Sequence, residues 1–336
     1  MSASSDFAAA LQTAVLRHIG APGDVAELKQ LTGGATKITW SFRARVGEQD
    51  LSLILQLSTP RALAPGGVLA ELPRVIGKDD AAMMIAAAAS GVPTPPVRAV
   101  LTDEDGLGPG YIMDRVPGET IARRILRDPE FAPLRQGFAE QCGAILARLH
   151  RMPAAALPFL EPFGPAEQVR LYRRVYQSLD HPQPVIELGL RWAEDHLPPA
   201  HRHGVVHGDF RLGNLICGHQ RIAAVIDWEI GVLGDPVQDL GWLCVKTWRF
   251  GGKHPVGGLA RREELVAAYV RAGGVAVEPA QLRFWEGFGS IKWAIMCLMK
   301  GQEHHRTGKR SVEQLAIGRR MEEPLHDFLL LLSGED

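Results

Sequence analysis

The sequence lacks the features that would assign it to a membrane protein or to a nucleic-acid complex. It contains no uninterrupted apolar run of about 18 residues, the length that a transmembrane helix needs. Its formal net charge is -1, from 37 basic and 38 acidic residues, so neither sign is in excess. Binding to nucleic acid or to an anionic lipid surface usually requires a basic excess. We therefore expect no nucleic-acid partner and no membrane partner, and the oligomeric state stays open.

Cysteine is scarce as well. The chain has four cysteines, which are far apart and form no CxxC pair: Cys142, Cys217, Cys244 and Cys297. This pattern gives no disulfide framework and is typical of buried free thiols in a reducing cytoplasm. The first twenty residues carry no basic segment ahead of an apolar one, so we expect no signal peptide there. The expected location is cytoplasmic.

The residue pattern changes once along the chain, near residues 113–118. Residues 5–19 have the apolar spacing of an amphipathic helix, and strand-like segments with one further helix follow. Beyond this point helical patterns dominate, interrupted by one β-like stretch at 204–230. We therefore predict an α+β, bilobal fold, with a β-rich amino-terminal lobe at 1–115 and a mainly helical carboxy-terminal lobe at 116–336.

A short segment inside the β-like stretch combines polar and apolar residues in an unusual way. The sequence VVHGDFRLGNLI, residues 205–216, places several polar side chains between apolar pairs. A hairpin is predicted directly after it, with strands at 215–217 and 222–226. Because the two ends of a hairpin lie side by side, Asn214 and Asp227 should be neighbours in space.

With Asp209 five residues before Asn214, two carboxylates and one amide oxygen would converge at one end of a small sheet. Oxygen ligands of this kind suit Mg²⁺ in the company of phosphate oxygens. A carboxylate beside such a metal can also accept a proton from a hydroxyl group. The alternative is a polar turn capped by its own side chains. The spacing of the motif, the predicted hairpin and the downstream pair Asp235-Pro236 agree with one another. Together they favour a site that performs chemistry.

These residues carry a resemblance to a known family. The stretch 207–214 resembles the HxDxxxxN catalytic loop of kinase-like phosphotransferases. The segment VIDWEIGVLGDPVQDLGWL, residues 225–243, is similar to the metal-binding segment of the aminoglycoside phosphotransferase and choline kinase branch. The resemblance spans roughly residues 25–300 and is nearest to the kinase-like domains associated with acyl-CoA dehydrogenases. It implies a protein-kinase-like fold.

The resemblance implies a role for each matching residue of the helical lobe. Asp209 would be the catalytic base that takes the proton of the acceptor hydroxyl, and Arg211 would face the transferred phosphoryl group. Asn214 and Asp227 would hold Mg²⁺ at the phosphates of ATP. Structural support of the catalytic loop would come from two further residues, His207 and Asp239.

The resemblance also implies a nucleotide site in the amino-terminal lobe. Gly33 and Gly34 would form a turn over the phosphates and offer backbone N–H groups to them. An ordinary hairpin turn is the alternative for this pair. Adenine would bind backbone groups of the interlobe hinge, which consists of Met113, Asp114, Arg115 and Val116. The sequence does not decide between ATP and GTP.

One position departs from the family pattern. The third strand usually carries a Lys or Arg that contacts the nucleotide phosphates and pairs with a helix Glu. Here the strand reads Leu-Ile-Leu-Gln, so Gln56 takes the place of the cation, and the helix acid falls on or near Asp80. A glutamine can donate a hydrogen bond to phosphate but carries no charge. The missing charge could be supplied by one of four candidates, among which the sequence does not choose: Arg211, Lys37, Arg61 and Lys78.

The function implied by the resemblance is an ATP- and Mg²⁺-dependent kinase that phosphorylates a hydroxyl of a small molecule. The helical lobe has few clustered acids, which disfavours a polycationic aminoglycoside as acceptor. A hydroxyacyl compound or another metabolic alcohol is the expected acceptor. The alternative is a catalytically weak pseudokinase that only binds a nucleotide or metabolite. Gln56 supports this alternative, whereas the intact Asp209, Asn214 and Asp227 argue against it.

Overall fold

The computed structural model describes residues 5–31, 37–59, 67–199, 203–303 and 312–335. Within these ranges, the amino-terminal lobe is a five-stranded antiparallel sheet in the order β1-β2-β3-β5-β4. Its strands are β1 (Pro22–Leu31), β2 (Lys37–Val46), β3 (Gln49–Ser58), β4 (Val97–Val100) and β5 (Gly110–Asp114). Helix α1 (Ser5–His18) precedes the sheet, and α2 (Lys78–Ala89) lies between β3 and β4.

The two faces of this sheet have different neighbours because side chains alternate along a strand. Trp40 and Phe42 of β2 and Leu55 of β3 point to one face, where they form a buried core with Leu11 and Val15 of α1. The residues between them, on the opposite face, include Ile54 and Tyr111, which belong to the larger core shared with the helical lobe. The sheet therefore presents every second side chain of β2, β3 and β5 to the cleft between the lobes.

The carboxy-terminal lobe is mainly helical, as predicted. Its helices are α3 (Ala122–Arg127), α4 (Ala132–Gln136), α5 (Phe138–Leu149), α6 (Pro165–Gln177), α7 (Pro184–Asp195), α8 (Val237–Cys244), α9 (Arg262–Arg271), α10 (Pro279–Gly301), α11 (Val312–Gly318) and α12 (Glu322–Ser333). Gly137 separates α4 from α5. Glycine has a low helix propensity because it loses the most backbone entropy on ordering.

Two small antiparallel sheets carry the site region. The first pairs β7 (Leu215–Cys217) with β8 (Ile222–Val225), which confirms the predicted hairpin. The second pairs β6 (Gly204–Val206) with β9 (Val232–Gly234), and β9 was not predicted. Three residues give too short a pattern to recognise, and their pairing partner is distant in sequence. Together the two sheets fix both ends of the stretch 207–231.

Other expectations on the whole chain can be compared with the structure. The four cysteines are free and buried, as predicted. No helix in the described ranges combines the length and apolar character needed to cross a bilayer. Strand β5 ends at Asp114 and α3 begins at Ala122, so the predicted division after residue 115 falls in the connection between them and stays a prediction.

Candidate active site

The carboxylate of Asp209 is held by three donors. Oδ1 accepts hydrogen bonds from Arg211 Nε at 3.0 Å and from Trp242 Nε1 at 2.7 Å. Oδ2 accepts from Asn214 Nδ2 at 2.7 Å. The Asp209 side chain is 19% exposed, so it is oriented from the protein side and still reaches solvent. This is the geometry of a carboxylate that is fixed in one orientation and accessible to a small molecule.

Arg211 is itself held in place. Its guanidinium carbon lies 4.7 Å from the centre of the Trp248 ring, and its Nε bonds to Asp209. A planar guanidinium stacks well on an aromatic face and keeps further N–H groups free for a ligand. Arg211 therefore lies directly beside the Asp209 carboxylate, and its predicted role toward a phosphoryl group stays a prediction.

The loop that carries Asp209 is anchored by Asp239 in the first turn of α8. Its two carboxylate oxygens accept hydrogen bonds from the backbone N–H groups of His207 and Gly208, each at 2.8 Å. His150 Nε2 lies 3.1 Å from the same carboxylate. Burial alone would raise the pKa of Asp239, but the hydrogen bond and charge of His150, with help from His207, outweigh it and hold this pKa below its ordinary value.

His207 connects the catalytic loop to the end of β8. Its Nδ1 accepts a hydrogen bond from the Asp209 amide at 3.1 Å, and its Nε2 lies 3.1 Å from the carbonyl oxygen of Ile226. With the first nitrogen accepting, the second must be the donor, which fixes the tautomer. His207 thus ties the loop of Asp209 to the residue that precedes Asp227. Both ring nitrogens are engaged by backbone groups, and the predicted supporting role of His207 stays a prediction.

Asn214 and Asp227 are brought together by the hairpin. The amide of Ile226 donates to the carbonyl oxygen of Asn214 at 3.0 Å, so the two ends of the hairpin are adjacent. Asp227 has φ of 70°, a left-handed conformation that aspartate tolerates better than most residues and that is often found at functional sites. The predicted neighbours are therefore neighbours in the fold.

The oxygen atoms of this pair fit a magnesium ion. The Asn214 amide nitrogen donates to Asp209, which leaves the amide oxygen as the group available to a cation. In the described part of the chain, no group of three or more His, Cys, Asp or Glu side chains is arranged to hold a metal. A magnesium site needs no such group, because Mg²⁺ keeps several waters and uses one or two carboxylates with phosphate oxygens.

Gln56 lies on β3 as expected, and a lysine from the adjacent strand reaches the helix acid in its place. Lys37 Nζ lies 2.7 Å from Asp80 Oδ2 and 3.4 Å from Asp227 Oδ1. The Lys37 and Asp80 side chains are 10% and 1% exposed, so this is a buried ion pair. Burial opposes the charge of Lys37, yet the carboxylates of Asp80 and Asp227 raise its pKa above the ordinary value.

A tyrosine completes this cluster. The Tyr111 hydroxyl contacts Gln56 Oε1 and lies 2.8 Å from Asp80 Oδ2. Since the hydroxyl carries one proton and the carboxylate can only accept, the Gln56 amide satisfies both contacts when its nitrogen faces the tyrosine. Gln56 is thus occupied within the sheet by Tyr111.

The hinge offers fewer donors than its length suggests. The amides of Asp114 and Arg115 already donate to the carbonyl oxygens of Pro96 and Ser52, both at 2.9 Å. The Asp114 carboxylate makes a two-point ion pair with Arg98. Met113 is paired on both sides within the sheet. Among the described residues, no backbone hydrogen bond engages the Val116 amide, so it is a candidate donor to a base. Gly33 and Gly34 lie outside the described residues, and their prediction stays untested.

A cavity of about 160 Å³ is lined by residues of α6, α8 and α10 and by the segment 229–232, which follows Asp227. Its lining combines apolar residues with three cations and one carboxylate, which are Arg74, Lys292, Lys300 and Glu229. Lys292 is 7% exposed, and its Nζ lies 5.0 Å from the centre of the ring of Trp242, the tryptophan that bonds Asp209. Burial lowers the pKa of Lys292 to about 8, against the opposing charges of Asp209 and Asp239.

Sequence reasoning missed two members of this site. Trp242 is 33 positions after Asp209, and nothing in its local pattern distinguishes a donor to that carboxylate from a core residue. Lys292 stands in the long α10, where it reads as an exposed helix residue. A lysine flanked by Ile and Trp in an otherwise apolar helix was the signal that could have been followed.

Comparison with known proteins agrees with this geometry. The model of the phosphotransferase enzyme family, APH, matches residues 27–285, more than half of the chain. Acyl-CoA dehydrogenase family member 10 of Mus musculus is 31% identical over 232 residues, which is 65% of this chain and 20% of that protein. The chain thus spans about a fifth of the length of that relative.

Solved structures resemble the whole chain. A Ralstonia eutropha JMP134 protein described as a candidate aminoglycoside phosphotransferase has a TM-score of 0.74, with 20% identity and coverage of 97% of this chain and 98% of that chain. Spectinomycin phosphotransferase APH(9)-Ia, in complex with ADP and spectinomycin, has a TM-score of 0.62, with 14% identity and coverage of 93% and 94%. These likenesses show the protein-kinase-like fold. The family model, which matches more than half of the chain, shows that it belongs to the APH phosphotransferase enzyme family.

Proposed function

We propose that this protein is an ATP- and Mg²⁺-dependent phosphotransferase that transfers the γ-phosphoryl group to a hydroxyl of a small molecule. The observation that carries the proposal is the Asp209 carboxylate, oriented by Asn214, Arg211 and Trp242 beside the loop end at Asp227. Phosphoryl transfer depends on positioning and charge neutralisation more than on covalent participation by the protein. The residues of the site supply both.

Each side chain has a definite task in this reaction. Asp209 accepts the proton of the acceptor hydroxyl, whose oxygen forms a bond to the γ-phosphorus as the bond to the β-phosphate oxygen breaks. Arg211, adjacent to the carboxylate, stabilises negative charge on the transferred group. Asn214 and Asp227 would hold Mg²⁺, which neutralises phosphate charge when bound. His207 and Asp239 keep the loop in register for this geometry.

The nucleotide would lie between the sheet and the helical lobe. The Val116 amide is available to the base, and the two other hinge amides hold the strand in place. Backbone recognition of this kind suits adenine, and GTP is not excluded by it. The departure at Gln56 no longer supports the binding-only alternative, because Lys37 brings a cation to Asp80 and Asp227.

The cavity lined by α6 and α10 supports the proposal for the acceptor. Its three cations, Arg74, Lys292 and Lys300, outnumber its one carboxylate, Glu229, so the lining would repel a polycationic aminoglycoside, and its apolar residues suit a carbon chain. A hydroxyacyl compound or another metabolic alcohol of neutral or negative charge fits this lining. The helices that line the cavity, α6 and α10, would set the specificity.

The test is a transfer assay with purified protein, Mg²⁺, ATP or GTP, and a panel of alcohols. The panel includes hydroxy acids, hydroxyacyl thioesters and, as the disfavoured class, an aminoglycoside. We expect acceptor-dependent ADP formation and a phosphorylated product detected by mass spectrometry, both lost in Asp209→Asn. Tight nucleotide binding without transfer to any acceptor, unchanged in Asp209→Asn, would assign the protein as a nucleotide- or metabolite-binding pseudokinase. Phosphate release from a phosphoester without nucleotide would indicate a hydrolase.

A further inference from the structure

The sheet register places Lys37 on the same face as Gln56, the position from which the family cation is missing. Directly paired residues of an antiparallel sheet project to one face, and Lys37 pairs with Ser58 while Thr39 pairs with Gln56. Lys37 is therefore the diagonal neighbour of Gln56, about 7 Å away along the sheet. A lysine side chain is long enough to cover that distance, so an ammonium from either position can reach the same point.

The contacts of Lys37 identify that point. Its Nζ lies 2.7 Å from Asp80 on α2 and 3.4 Å from Asp227, the proposed metal ligand, with Glu229 at 3.9 Å. The ammonium thus stands between the helix carboxylate and the end of the metal-binding segment. Phosphates bound to a cation at Asp227 would have to lie beside it.

The other candidate cations are placed less favourably. Arg211 is bound to Asp209 and stacked on Trp248. Lys78 is exposed at the start of α2. Arg61 lies outside the described residues. Lys37 is the candidate that is buried, charged and paired with the helix acid.

We propose that Lys37 contacts the nucleotide phosphates and performs, from strand β2, the role that the family assigns to a cation on β3. This inference rests on the proposed function, since it concerns the nucleotide of that reaction. Asp80 holds the ammonium in position, and Tyr111 holds Asp80 and Gln56 together. The positive charge that would bind phosphate lies on β2 instead of β3, and it projects from the same face of the sheet.

The experiment exchanges the two residues. Isothermal titration measures the affinity for ATP with Mg²⁺ and for adenosine, which lacks phosphates, in wild type, Lys37→Gln and the double variant Lys37→Gln/Gln56→Lys. We expect Lys37→Gln to weaken ATP binding by about tenfold to a hundredfold, because it removes a charge-assisted bond to phosphate. Adenosine binding should stay within about twofold, and the double variant should regain most of the ATP affinity. Lys253→Gln, an exposed lysine of the helical lobe, is the matched control and should change neither.

The outcomes separate the two proposals. A wild-type protein that binds adenosine but not ATP, or neither, contradicts the proposed function itself. A wild-type protein that binds ATP with Mg²⁺ while Lys37→Gln binds it equally well contradicts only the role of Lys37. If Lys37→Gln does not fold, the double variant decides, because it restores the charge beside Asp80. A folded double variant whose ATP affinity is at least tenfold below that of the wild type would overturn the inference.

Discussion

At the scale of single residues, the Asp209 carboxylate shows what a motif can and cannot predict. Asp209 and Asn214 belong to one local pattern, so their spacing in the sequence already places them in contact. The Trp242 indole reaches the same carboxylate from α8, through a contact that only the packing of the lobe creates. Local spacing therefore predicted that Asp209 and Asn214 lie together, but not that Trp242 donates to the same carboxylate.

Replacing Asp209 by Asn should remove most of the transfer activity. The amide cannot accept the hydroxyl proton, and general-base catalysis typically contributes about 10²–10⁴-fold to the rate. Acceptor-dependent ADP formation measures the loss, and a thermal melt checks that the fold is kept. The control is Asp195→Asn at the exposed end of α7, which should behave like the wild type. Activity within threefold of wild type in Asp209→Asn would be incompatible with its role as the base.

Trp242→Phe isolates the contribution of the indole N–H. The ring is kept, but the 2.7 Å bond to Asp209 Oδ1 is lost. Hydrogen bonds to charged groups contribute about 1.5–3 kcal/mol, so we expect kcat to fall about tenfold to a hundredfold with a smaller change in nucleotide KM. Trp192→Phe, in the core of the helical lobe, is the matched control. Equal effects of the two substitutions would mean that only packing was disturbed.

At the scale of elements, the first turn of α8 anchors the catalytic loop. The Asp239 carboxylate accepts hydrogen bonds from the backbone amides of His207 and Gly208. Without this carboxylate, the two amides would be buried donors without partners. The hairpin β7–β8 was predictable because its turn and alternation are local. Strand β9 was not, because its three residues pair with β6 and bridge to Pro162, which are both distant in the sequence. The loop therefore joins strand β6, whose partner β9 was not predicted, to the hairpin β7–β8, which was predicted.

The contribution of Asp239 to stability should depend on pH. Its pKa is lower in the folded protein than in the unfolded chain, so the contribution is fully present above about pH 4 and is lost as pH falls through the folded pKa. We expect Asp239→Asn to lower the free energy of unfolding by about 3 kcal/mol at pH 7, since it breaks a buried charged network. Urea unfolding at several pH values measures both proteins. A difference that stays constant from pH 7 down to acid would show that the carboxylate charge is not what stabilises the loop.

At the scale of the whole molecule, the division into sheet and helical lobes followed from periodicity, whereas contacts across the cleft did not. The sequence showed the alternation of apolar side chains along β2 and β3, and it showed the apolar face of α5. The Lys37–Asp80 pair depends on the register between two strands and on where α2 packs. A one-residue change in register would move Lys37 to the other face. The sequence alone therefore did not distinguish Lys37 from the other candidate cations, whereas the structure shows its pairing with Asp80.

The buried Lys292 predicts an unusual dependence of stability on pH. Burial lowers its pKa to about 8, so between this value and the unfolded value near 10.5 the unfolded chain binds a proton that the folded protein does not. Stability contributed by this group should therefore rise with pH across that window. Lys292→Met should stabilise the protein at pH 7, on the order of 2 kcal/mol, and remove the rise.

Chemical unfolding between pH 7 and 10 measures this effect. Lys253→Met, an exposed lysine, is the control and should leave both the stability and its pH dependence unchanged. A Lys292→Met protein that is less stable than the wild type at pH 7 would indicate that the ammonium is well compensated inside the lobe.

The shared face of β2 and β3 has a consequence for recognising active members of such families. A search that asks for a cation at one fixed alignment column would discard this chain as degenerate, because that column holds Gln56. A search that asks which columns project toward the acid of α2 would accept Lys37 as its equivalent. Annotation of apparently inactive relatives should therefore compare positions by the direction of their side chains as well as by their order in the chain.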